Sequence, residues 1–310
     1  MNIRLVLGSV ALAGALTISQ AALAQRGAPQ RPAGPPPTAE KAALVDLTGY
    51  WASIVTEDWR WRMLTPPHGD YASVPLNAAG KKLADEFNPA LYGPEPETSQ
   101  IIDCRAYGAA GLMRMPTDLH ITWDNPNELK VETDWGVQTR VFHFMPNHPY
   151  EDMPPAAMGP GGAAGNAVAA GEAGGAGAAN MPPSMQGYSV AVWERPYQIN
   201  ANEGLRGPQR GRGFGRAPPA ALPGGDLRVV TRDLAPGWLR RNGVPYGAHT
   251  RLTEFYQTFQ DATGKHWFDV TTQVEDPEYL NAPFITSSDF RQQPDGSKFV
   301  PHPCKTVAQD

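Results

Sequence analysis

Short β-type segments recur along almost the whole chain, and this pattern most narrows what it can fold into. Gly49–Thr56, Leu119–Trp123, Leu129–Trp135, Val137–Phe144, Tyr188–Trp193, Leu227–Thr231, Arg251–Phe259 and Lys265–Glu275 are rich in Val, Thr, Phe, Tyr and Trp. Turn signals such as Asn125-Pro-Asn127, Trp135-Gly136 and Thr263-Gly264 punctuate them. Only Asn77–Phe87 has a helical pattern, with Asn77 as its cap. Many short strands joined by hairpins predict a mainly β domain, a barrel or a sandwich.

One hairpin can be worked out in register. Asp261-Ala-Thr-Gly-Lys265 is a turn in which Gly264 can take a positive φ. Matching apolar residues across it places Tyr256 opposite Asp269. One face then carries Phe255, Phe259, Phe268, Val270 and Val274. The other carries Glu254, Tyr256, Trp267, Asp269 and Thr271. A slip of one residue would mix the two sets. In Val137–Phe144 neither face is cleanly apolar, because Arg140 alternates in step with Phe142 and Phe144. That suits a barrel with a partly polar interior, or a strand near an edge.

Other stretches lack the periodicity to fold. Residues 25–44 read as a flexible Pro/Ala-rich leader. Residues 151–186, rich in Gly, Ala, Met and Pro, and 201–225, with Arg206, Arg210, Arg212 and Arg216 among glycines and prolines, read as disordered insertions. Strand-like sequence resumes on both sides of each insertion, so residues 45–305 form a single domain. The start has the layout of a secretory signal peptide. Arg4 precedes an apolar run from Leu5 to Ile18, and a small-residue cleavage site ends at Ala24. This predicts a periplasmic or secreted protein. No other run approaches membrane-spanning length.

Without residues 1–24 the chain keeps 25 of its 26 Lys and Arg against 31 Asp and Glu. That acidic balance argues against non-specific nucleic-acid binding. Two cysteines in an exported chain predict a Cys104–Cys304 disulfide, with free thiols as the other reading. Such a bridge would contribute up to about 5 kcal/mol in the loop-entropy treatment.

Leu47-Thr-Gly49-Tyr-Trp51 resembles the Gly-x-Trp start of lipocalin-like barrels. There the glycine permits a sharp bend and the Trp closes one end of the barrel. The resemblance implies an antiparallel lipocalin-like barrel. Glu57-Asp-Trp-Arg-Trp-Arg62, Thr65-Pro-Pro-His-Gly-Asp70, Asn242-Gly-Val-Pro-Tyr246, Glu275-Asp-Pro-Glu-Tyr279 and Pro283-Phe-Ile-Thr286 are similar to segments of an uncharacterised family of exported proteobacterial proteins. That resemblance implies fold and export more than function.

Three functions are compatible with these residues. The first is a barrel that binds a small, largely apolar or anionic ligand. If Glu57–Arg62 is extended, Trp59 and Trp61 share one face and Arg60 and Arg62 the other. Arg beside aromatic rings can orient an anionic head group while the rings cover an apolar body. The expected pocket is Trp51, Trp59, Arg60, Trp61, Arg62, Arg140 and Tyr256. The competing reading of 57–62 is a core Trp pair whose arginines bridge to Glu57 and Asp58. The second function is an enzyme using Glu254 or Asp269 as acid or base, if that face is enclosed. The third is an accessory interaction protein of the cell envelope. Neither His68, His120, His143, His148, His249, His266 and His302 nor the irregularly spaced methionines around 145–185 match a metal motif. No nucleophile elbow, phosphate loop, dinucleotide fingerprint or haem motif occurs, so no cofactor is expected.

Overall fold

The computed structural model describes residues 36–88, 104–145, 182–194 and 226–304. The signal peptide, most of the leader, residues 151–181 of the first insertion, all of 201–225 and His148 lie outside the described residues. Residues 1–37 form one unit, and Thr38–Asp310 form the other, which carries everything below.

The strands are β1 (Gly49–Ile54), β2 (Asp118–Asn125), β3 (Glu128–Thr133), β4 (Trp135–Gly136), β5 (Thr139–Phe144), β6 (Tyr188–Glu194) and β7 (Asp226–Arg232). They continue with β8 (Gly237–Arg240), β9 (Val244–Tyr246), β10 (Arg251–Gln260), β11 (His266–Glu275), β12 (Phe284–Gln293) and β13 (His302–Pro303). Nine of them close into a barrel in the order β1-β12-β11-β10-β7-β6-β5-β3-β2. Two small sheets, β8-β9 and β4-β13, lie beside it.

The wall is mixed rather than wholly antiparallel, because β5 and β6 run parallel while every other neighbouring pair is antiparallel. This follows from the odd strand number. Strand directions that strictly alternate cannot close around a ring of nine, so at least one pair must be parallel. A parallel pair cannot be joined by a tight turn, and β5 and β6 are well separated in sequence, ending at Phe144 and beginning at Tyr188.

Alternate residues of each strand point inward. Trp51, Leu119, Ile121, Leu129, Val131, Phe142, Val229, Tyr256, Phe268 and Phe290 form the central core. Phe268 meets the Trp51 ring edge-on at 4.8 Å and stacks on Phe290 at 4.8 Å. At this level the barrel is filled by side chains. Gly49 has φ +112°, so the bend before Trp51 needs glycine. Trp51 Nε1 donates to the Leu47 carbonyl at 2.9 Å, which ties the approaching chain to the barrel end.

The β10–β11 register is one residue away from the expected one. Tyr256 faces Val270, Phe255 faces Thr271 and Gln257 faces Asp269. Leu252, Glu254 and Tyr256 point inward with Phe268, Val270 and Val274, while Phe255 and Phe259 lie on the outer face with Trp267 and Asp269. Apolar matching failed because it put Phe255 and Phe259 on one face with Phe268 and Val270, whereas the barrel turns Glu254 and Tyr256 inward and buries Glu254 against a cation.

The ends are capped differently. Residues 38–48 cross one end, with Ala39, Val45 and Leu47 packed on the core. The other end is covered by α1 (Trp59–Arg62), α2 (Ala78–Asp85), α3 (Ala109–Leu112) and the β8–β9 hairpin. There Val74, Ala109, Ala110, Leu239, Tyr246, Leu280 and Phe284 make a second core. The expected Asn77 cap is present, its side chain accepting from Gly80 N at 2.9 Å. Residues 182–186 are held at this end, Ser184 N donating to Asp233 O and Met185 O accepting from Ala109 N. The Cys104–Cys304 disulfide is formed and ties residue 304 to a point 200 residues earlier.

Candidate functional site

The seven expected pocket residues separate into two places. Trp51, Arg140 and Tyr256 lie inside the barrel, and Trp59–Arg62 lie at its helix-capped end.

Inside, Arg140 on β5 meets Glu254 on β10 through two parallel bonds, Nη1 to Oε1 at 2.9 Å and Nη2 to Oε2 at 2.6 Å. Both side chains are fully buried. Arg140 Nη2 also donates to Thr231 Oγ1 at 3.2 Å, and Tyr256 Oη donates to Glu254 Oε1 at 3.3 Å. Thr231 and Ser189 hydroxyls are 2.7 Å apart. Burial alone would lower the Arg140 pKa, but Glu254 and Tyr256 outweigh it and hold it above its usual value. Burial, then the Glu254 carboxylate, push the Tyr256 phenol well up.

This geometry bears on the acid–base candidates. Both Glu254 oxygens are engaged by Arg140. Asp269 is on the outer face, directly opposite Asp289. Burial, then Asp289, raise its carboxyl pKa. Glu254 and Asp269 therefore stand on opposite sides of the barrel wall and form no catalytic pair.

At the capped end, Glu57–Arg62 is not extended. Asp58 takes a left-handed conformation, φ 51°, and α1 follows as one short turn. Trp59 and Trp61 consequently do not share a face. Trp59 is 63% exposed. Trp61 turns inward, and its Nε1 donates to Asp70 at 3.2 Å, the carboxylate that also pairs with exposed Arg60.

Arg62 is buried, and two distant arginines join it, Arg114 just after α3 and Arg240 at the end of β8. Arg62 Nε donates to the Arg114 carbonyl at 2.9 Å and its Nη2 reaches Ser53 Oγ at 3.5 Å. Arg114 Nη2 pairs with Asp58 at 3.1 Å. Arg240 Nη1 donates to the Ala72 carbonyl at 2.7 Å. The Arg240 guanidinium lies 5.1 Å over the Trp61 ring and 5.9 Å from that of Phe284, which Arg114 also covers at 5.3 Å.

Of the three buried guanidiniums only Arg114 has a direct carboxylate partner, Asp58, while Glu57, Asp70 and Asp289 act on the cluster from farther away. Arg62 Nη1 and Arg240 Nε and Nη2 are buried without a hydrogen-bond partner. Burial, then the nearby Arg114 charge, lower Arg62 to about 10 and Arg240 to about 10. Both remain cationic near neutral pH. Residue-by-residue reading missed Arg114 and Arg240. The available signal was charge set against apolar residues, Arg114 within Leu112-Met-Arg114-Met115 and Arg240 directly after Trp238-Leu239.

At the opposite end, where β1 starts and β2 finishes, a cleft of about 400 Å³ opens between residues 40–48 and the barrel rim. Val45, Leu47, Trp123, Leu129 and Trp193 line it, with Glu40 and Asp46. None of the expected pocket residues reaches it.

Among the described residues, no group of three or more His, Cys, Asp and Glu is placed to hold a metal ion. His120 and His143 instead pair with Glu132 and Glu128 at 3.1 and 2.8 Å. No described helix is long and apolar enough to cross a membrane. No family model, curated protein or solved structure matches the chain.

Proposed function

We propose that this protein binds a small amphiphilic anion at the arginine cluster, with its charged group among Arg62, Arg114 and Arg240. One observation carries the reading. Guanidinium nitrogens of Arg62 and Arg240 are buried with no acceptor. A buried donor left unsatisfied costs about 1–3 kcal/mol, and more when charged. A carboxylate or phosphate supplies the missing acceptors to guanidinium donors that no protein carboxylate contacts directly. Beside the cluster, Trp59, Met63 and Leu64 are each at least half exposed and offer cover for an apolar body.

The signal-peptide layout and the disulfide support a site of action outside the cytoplasm. The similarity of residues 57–70 and 242–246 to exported proteobacterial proteins fits the same reading, since both segments contribute to this end.

The test is calorimetric titration with decanoate, with decanol as the neutral control. Decanoate is expected to bind one to one, more tightly than decanol, and to weaken as salt rises. Arg240→Gln is expected to weaken decanoate about tenfold or more, with the circular dichroism spectrum unchanged. Equal binding of decanol, or undiminished decanoate binding by a folded Arg240→Gln variant, rejects the proposal.

A further inference from the structure

The cleft at the other end of the barrel has opposite chemistry. Its walls are two indoles held in fixed positions. Trp123 and Trp193 both pack on Phe144, with ring centroids 5.5 and 5.3 Å away. Trp193 Nε1 donates to the Ala39 carbonyl at 3.0 Å, so the same contact orients the ring and anchors the crossing segment. Fixed rings lose little conformational entropy when a ligand arrives.

The charged groups that line the cleft are Glu40 and Asp46, with no Lys or Arg among the lining residues. Asp46 is oriented too. Its Oδ1 accepts from Thr48 N at 2.9 Å and from Thr48 Oγ1 at 2.7 Å. These bonds leave Oδ2 for another donor. The cleft volume of about 400 Å³ falls within the usual range for small-ligand sites.

Aromatic faces attract cations through their quadrupole, and a flanking carboxylate adds charge complementarity. Two carboxylates and no basic side chain in the lining disfavour an anion here. We infer that the cleft between Trp123, Trp193 and Asp46 is a second binding site, which takes a small organic cation of the alkylammonium class. It is separate from the arginine cluster, because the cleft lies at Thr48, just before β1, whereas Arg62 reaches Ser53 near the far end of that strand. Its occupant and the anion proposed above carry opposite charge, so the two sites select different molecules.

Choline and its uncharged isostere 3,3-dimethylbutan-1-ol make the test, because they differ in replacing the quaternary nitrogen by carbon. Binding is followed by calorimetry and by the indole N–H resonances of Trp123 and Trp193. Choline is expected to bind one to one and about tenfold more tightly than the isostere, and to shift both indole signals. Asp46→Asn, an exposed and conservative change, is expected to weaken choline several-fold without altering thermal unfolding. Trp193→Phe keeps an aromatic ring but loses the indole N–H, and is expected to weaken it as well.

Arg240→Gln should leave choline binding unchanged, so failure of the anion reading and failure of this one are distinguishable. Equal affinity for the isostere overturns the inference. So does the absence of choline binding at millimolar concentration, or choline binding that is indifferent to both Asp46→Asn and Trp193→Phe.

Discussion

Glu254→Gln should be among the most damaging single changes in this protein. It removes a carboxylate that holds Arg140 through bonds of 2.9 and 2.6 Å in a fully buried site. The arginine would remain charged, inside the barrel, with Thr231 Oγ1 and one amide oxygen as its acceptors. Breaking one partner of a buried pair costs about 3–5 kcal/mol, because the survivor's desolvation is no longer offset. For a domain of this size that lowers the melting temperature by roughly 6–20 °C. Removing both charges is a different perturbation. Arg140→Met with Glu254→Leu eliminates the desolvation cost together with the attraction, so the double variant should lie within about 2 kcal/mol of wild type. Any deficit that remains comes from Tyr256, which loses its acceptor in that variant, and Tyr256→Phe in the same background should recover it. Urea unfolding of wild type, Arg140→Met, Glu254→Leu and the double variant gives the coupling energy directly. A loss below about 1 kcal/mol for Glu254→Gln would refute the reasoning. So would a double variant as unstable as the sum of the singles, since the two charges would then act independently.

Burial, then the neighbouring Asp134, push the half-buried Asp118 carboxyl up to about 6. The folded state therefore keeps a proton that the unfolded chain releases near pH 4, so this group lowers stability as pH rises from about 4 to 6. Asp118→Asn is expected to gain about 1 kcal/mol at pH 7, discounted for solvent screening, and nothing at about pH 3.5. Urea midpoints at the two pH values check this, and an equal gain at both would assign it to packing instead. Replacing Cys104 and Cys304 together by Ser should cost about 2–5 kcal/mol, and the wild type under reductant should match the variant. A double variant as stable as the oxidised protein would show that the cross-link constrains nothing. Gly136 has φ +76°, and a Cβ there would run into the Tyr107 ring. Gly136→Ala should therefore destabilise by more than about 1 kcal/mol, measured as a lowered thermal midpoint, whereas an unchanged midpoint would mean the β4 turn relaxes freely.

The β character, eight of the nine barrel strands, the Asn77-capped helix and the Cys104–Cys304 bridge were legible in the chain alone. Each rests on local chemistry: alternation, turn residues, a capping side chain, and the pairing of the two cysteines present. β12 was not legible, because Phe284–Gln293 places Thr286 and Ser288 where an apolar residue would mark a strand. It forms because β1 and β11 each need a partner to close the wall. The β10–β11 register was misread for a related reason. Glu254 looks like a surface charge until Arg140, 114 residues earlier, is seen across the barrel. The candidate site follows the same division. Trp59–Arg62 announced itself by composition, but its short helix and the arrival of Arg114 and Arg240 depend on chain segments that only the closed barrel brings together. Local pattern determines which residues form strands and turns, since those preferences act within a few residues. Which buried charges meet, and which are left without a partner, is decided by long-range closure, and that is where the proposed anion site arises.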